Sequence, residues 1–94
     1  MQVKSEDKKK IFIKELGKLI KEHRENLHKN IYVISAESSV PRSTWRDIEF
    51  AISKDINLTN FCKIAEGLDI EPDVLLKELL EKLGKDFSFT DLNN

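Results

Sequence analysis

The sequence predicts an all-α domain of five helices, and three observations predict it. Apolar residues recur at spacings of three and four through most of the chain, the repeat of one helix face. Helix-starting residues (Asn30, Pro41, Asn57, Pro72) and the stop signal Gly84 cut that pattern into segments of helical length. Strand-like alternation is confined to Phe87, Phe89 and Leu92 in the tail.

The first helix is expected from about Glu6 to Asn26. Ile11, Phe12, Ile13, Leu16, Leu19, Ile20, His23 and Leu27 fall on its apolar side, and Lys and Glu fill the other. Asn30 suits the N-cap of a second helix carrying Ile31, Val33 and Ile34 inward. Ser38 and Ser39 interrupt it. Pro41 then fits the first turn of a third helix, where its fixed φ is already helical. That helix should end near Ala51, with Trp45 and Ile48 inward and Arg42, Ser43 and Arg46 outward. An irregular loop, Ile52 to Ile56, leads to Asn57, the cap of a fourth helix whose inner side is Leu58, Phe61, Cys62, Ile64, Ala65 and Leu68. The segment Glu71-Pro72-Asp73 starts a leucine-rich fifth helix, and Gly84 stops it. The expected organisation is a lysine-rich extension over residues 1–10, the helical domain over 11–84 and a tail over 85–94.

A chain of 94 residues makes one domain with one modest core. Its single cysteine, Cys62, can form no internal bridge and no thiol metal cluster, which fits a reducing compartment. His23 and His28 have no partners at metal-ligand spacing, so no metal and no cofactor is expected. No apolar run approaches the roughly 20 residues that span a bilayer, and Lys14 and Glu15 interrupt the only candidate for a signal region. A soluble, cytoplasmic protein is the expectation. Net charge is −1, but lysine and arginine are in excess over residues 1–24 while Asp and Glu dominate after Lys54. Such a split can turn an acidic end away from phosphate, and it equally describes ordinary solvated surface. Catalysis finds no support: there is no nucleophile motif and no glycine-rich phosphate loop.

Four segments carry a family resemblance. They are Leu16-Gly17-Lys18-Leu19-Ile20-Lys21-Glu22-His23-Arg24, Val40-Pro41-Arg42-Ser43-Thr44-Trp45-Arg46-Asp47-Ile48-Glu49, Leu58 to Ile70, and Pro72-Asp73-Val74-Leu75-Leu76. In this order and spacing the chain resembles the lambda-repressor-like helix-turn-helix family (Cro/cI, or xenobiotic-response-element type) from about Ile13 to Leu80. The resemblance implies that the third helix lies in the major groove and that Asn30 meets a phosphate. It also implies an internal ion pair between Arg24 and Glu49. The chain departs from the family at Ile31, where glutamine is usual, and at Ser39 and Ala51, where glycine is common. Ser35 and Ser38 stand where small or apolar core residues are usual, and the loop after the third helix is one residue longer.

The residues of the third helix make their own case. Arg42 and Arg46, four apart, share one face, and arginine donates two hydrogen bonds to guanine O6 and N7. Ser43 lies beside them. Asp47 faces either a cytosine amino group or Arg46 itself, and its charge favours the second. Thr44, Ser53, Lys54 and Lys29 are candidates for phosphate, beside Asn30, which the resemblance implies. Two exposed arginines on a helix are also commonplace surface, and a lone lysine is usually a solvated charge. Trp45 belongs to the core.

The expected function is a sequence-specific DNA-binding transcriptional regulator, a homodimeric repressor reading a palindrome on double-stranded DNA. Two copies would set their third helices in grooves about 34–36 Å apart. Leu76, Leu79, Leu80 and Leu83 are the dimer candidates, unless they complete the monomer core or the tail covers them through Phe87 and Phe89. The alternative is a protein-interaction module of antitoxin or anti-repressor type on the same scaffold, favoured by Ile31, Asp47 and the near-neutral charge.

Overall fold

The computed structural model describes residues 5–90. Among them are five α-helices and no strand: α1 (Ser5–Asn26), α2 (Ile31–Ser38), α3 (Arg42–Glu49), α4 (Leu58–Gly67) and α5 (Pro72–Leu83). The long α1 packs against α3 and α5. The shorter α2 packs against α3 and α4, and α4 closes on α5. Leu16 and Ile20 of α1, Ile34 of α2, Trp45 of α3, Ile64 of α4 and Leu75 and Leu79 of α5 meet in one core, each with no exposed surface. No helix among the described residues is long and apolar enough to cross a membrane.

Local chemistry sets the helix ends. The side chain of Asn30 accepts a hydrogen bond from the Val33 amide at 2.9 Å, and that of Asn57 from the Asn60 amide at 2.7 Å. Each satisfies a donor that the helix start leaves unpaired. Pro72 opens α5 at a position where no N–H is needed. Between α2 and α3 the chain reverses through Ser39, which sits in the left-handed region at φ 59°, ψ 35°. Its amide donates to the Ala36 carbonyl and the Val40 amide to the Ser35 carbonyl. Ala51 is left-handed as well, at φ 57°. Both positions therefore carry the Cβ penalty that glycine would avoid. Buried Ser35 and Ser38 return their hydroxyl hydrogens to the carbonyls of Tyr32 and Ser35, so neither is left unsatisfied.

Two close approaches shape the bundle. A Cβ at Gly17 would stand 2.5 Å from the Ile48 carbonyl oxygen and 2.7 Å from that of Glu49. A Cβ at Gly67 would stand 2.5 Å from Cβ of Ser38. Glycine thus lets α1 touch the C-terminal end of α3, and lets α4 touch α2.

Several sequence expectations are corrected. The first helix begins at Ser5, close to the expected Glu6, so residues 5–10 belong to α1 and not to a separate extension, with Lys9 paired to Asp55 at 3.0 Å; residues 1–4 lie outside the described residues. Pro41 precedes α3 as its cap, because its ψ of 141° is extended, and the helix ends at Glu49, ahead of the left-handed Ala51. Leu58 is 75% exposed although its helix is amphipathic, since the first residue of α4 projects past the core. Val33 is exposed and Cys62 half-buried. The tail packs on α1 and leaves Leu76 and Leu80 of α5 exposed: Phe87 and Phe89 gather with Phe12, ring centroids 5.1 to 6.3 Å apart. Leu92 lies outside the described residues.

Candidate nucleic-acid interface

The inner side of α3 is anchored through Glu49. Its carboxylate accepts from Arg24 Nε at 2.6 Å and Nη2 at 2.9 Å, and from Trp45 Nε1 at 2.6 Å. The Arg24 Nη1 group donates onward to the Lys29 carbonyl at 2.8 Å, tying α1 to the α1–α2 turn. The two charged side chains are 11% and 1% exposed, so this is a buried, forked, fully partnered pair. The hydrogen bonds that Arg24 donates to Glu49 outweigh burial and raise the Arg24 pKa above its ordinary value. A helix held this way has little freedom to roll.

On the outer side Arg42, Ser43 and Arg46 are exposed. With Ile31 of α2 they line an open concavity of about 440 Å³. Ile31 is half-buried and packs against the core, so it contributes an apolar wall where a polar residue would offer a donor. The two arginines are not equivalent. Arg46 Nη2 lies 3.4 Å from the Asp47 carboxylate, an exposed and long contact that still lowers the local positive charge. Arg42 instead has its guanidinium carbon 5.5 Å from the ring centroid of Tyr32.

The phosphate candidates separate in the same way. Lys54 is exposed in the loop after α3, and Ser53 is half-buried there. The Asp47 carbonyl accepts from the amides of Ile52 and Ser53, which sets the start of this loop. Thr44 is half-buried in the first turn of α3. Asn30 spends its side-chain oxygen on capping, and its side-chain N–H groups remain the donors it could offer a phosphate. The Lys29 amine is paired with Glu37 at 2.6 Å, so it must leave a carboxylate before it can serve another anion.

The dimer candidates divide by helical phase. Leu79 is fully buried and stacks with Leu75 on the core stripe of α5, so it is not a surface residue; Leu83 is half-buried against the same core. Leu76 and Leu80, one step around the helix, are 39% and 48% exposed, and Val74 is 50% exposed. Sequence reasoning missed other exposed residues around α3: Tyr32, Phe50 and Ile52, the last two 61% and 63% exposed. A β-branched residue and an aromatic just past a short helix were the signal, but burial is the ordinary fate of both types. Among the described residues no group of three or more His, Cys, Asp or Glu is placed to hold a metal ion.

No family model, no curated protein and no solved structure matches the chain.

Proposed function

We propose that the protein is a lambda-repressor-like helix-turn-helix regulator that reads double-stranded DNA with α3 as a homodimer. One observation carries this reading: α3 is clamped to the scaffold from inside by Glu49 while Arg42, Ser43 and Arg46 stand exposed on its outer side. A rigid helix with forked donors facing out suits the major groove, where guanine presents O6 and N7 together. Asn30 and Lys54, before and after the two helices, would then meet the phosphates on either side. Leu76 and Leu80 offer the apolar stripe for a second copy, since a monomer would leave them in water.

A second reading has its own observation. Phe50, Ile52 and Leu58 leave apolar surface exposed at the end of α3 and the start of α4. With Ile31 and Asp47 beside the arginines, these residues favour a protein partner in place of DNA.

Selection of bound sequences from random duplex DNA at about physiological salt separates the two. Enrichment of a palindrome with half-sites about one helical turn apart supports the regulator. Absence of enrichment favours the protein-binding module.

A further inference from the structure

The contact between Tyr32 and Arg42 joins α2 to α3 beside the concavity that Ile31, Arg42, Ser43 and Arg46 line. Tyr32 stands in the first turn of α2 and is 65% exposed, so core packing does not account for it. A guanidinium within about 6 Å of a ring centroid is attracted by the ring quadrupole. That attraction spends none of the N–H donors on a carboxylate, unlike the contact between Arg46 and Asp47. Ile31, which lines the same concavity, has no polar side-chain atom with which to hold it. Tyr32 thus attracts the guanidinium while leaving its charge and its donors available.

We propose that Tyr32 is a positioning residue for Arg42, holding its guanidinium ready to pair with a guanine edge. Resting on the DNA-binding reading above, this makes Arg42 the principal base reader and Arg46 the lesser one. A long side chain that is already held loses less freedom on docking, so the preference at one G·C pair of each half-site depends on the aromatic face of Tyr32.

The test is a set of affinities for the duplex that the native chain enriches, and for versions of it with each G·C pair replaced. The proteins are the native chain, Tyr32→Phe, Tyr32→Leu, Arg42→Ala and the double variant with Tyr32→Leu and Arg42→Ala. Tyr32→Phe keeps the ring and should match the native chain. Tyr32→Leu should weaken binding to the preferred duplex by about two- to fivefold, and flatten the preference at one G·C pair only. In the Arg42→Ala background the same change should have no further effect, because its whole action passes through Arg42. An equal loss in that background means that Tyr32 touches DNA by itself and overturns the proposal. So does a Tyr32→Leu variant that binds like the native chain. If the native chain enriches no duplex at all, the DNA-binding reading falls and takes the proposal with it.

Discussion

On its inner side α3 presents Trp45, Ile48 and Glu49, none more than 8% exposed; on its outer side it presents Arg42, Ser43 and Arg46, all in solvent. Both sides carry charge, but the charges are treated differently. Glu49 meets three nitrogen donors from two side chains within 2.9 Å, so its burial is compensated. Among the described residues the Arg42 guanidinium faces a neutral ring, and Arg46 a carboxylate at 3.4 Å. The inner charge network sets where the helix sits. The outer charges add little to the fold and remain available to another molecule.

The largest expected effect breaks the inner side. Glu49→Ala strips Arg24 and the Trp45 N–H of their acceptor and should destabilise by about 3–5 kcal/mol, the range for a buried pair that loses one partner. Urea unfolding measures it, and a loss below about 1 kcal/mol would show that the network does not anchor α3. Gly17→Ala attacks the same anchor from α1, pushing a methyl group onto two carbonyl oxygens. It should cost about 1–3 kcal/mol by overpacking; an unchanged midpoint would mean that the helices separate freely.

The outer side should respond in the opposite manner. Arg42→Ala should leave folding stability within about 0.5 kcal/mol, as for most surface changes. On the proposed DNA-binding reading, the same variant should lose about 1–3 kcal/mol of DNA affinity, concentrated at one position of the site. A stability loss as large as that of Glu49→Ala would erase the distinction between the two sides. Between them lies the turn. Ser39→Gly removes the left-handed strain at φ 59° and should raise stability by up to about 1 kcal/mol, read as a shift in thermal midpoint. A drop would show that the serine side chain has a role beyond filling the turn.

The smallest effect is at the loop after α3. The pKa of Asp55 is lowered, first by its hydrogen bond from Lys9 and then by the Ile56 amide. A carboxylate whose folded pKa is depressed stabilises the fold above its unfolded pKa, and that contribution fades as pH falls through the folded value. Asp55 is exposed, so screening keeps the contribution small. Asp55→Asn should lower the urea midpoint slightly at neutral pH, and the gap from the native chain should close in strong acid. A gap that persists there would assign the effect to the turn geometry alone.

Much of the fold could be read in the sequence because its causes are local. The helix starts at Asn30, Asn57 and Pro72 follow from side chains that satisfy or dispense with backbone donors close by in the chain. The core stripes of α1 and α5 follow from the 3.6-residue period, and the exposure of Arg42 and Arg46 from the same period seen from the other side. The candidate site was readable to that extent.

Tertiary structure decided what depends on neighbours distant in sequence. Period alone does not say which of two adjacent leucine stripes faces inward, and it is the packing of α5 on α1 and α4 that buries Leu79 and leaves Leu80 exposed. The exposure of Leu58 and the gathering of Phe12 with Phe87 and Phe89 arise likewise from where helix ends fall against the rest of the molecule. The glycine contacts of Gly17 and Gly67, and the ring of Tyr32 beside Arg42, exist only once separate helices come together. Local backbone preference is written residue by residue, whereas a contact between elements is set by the balance of the whole packed core.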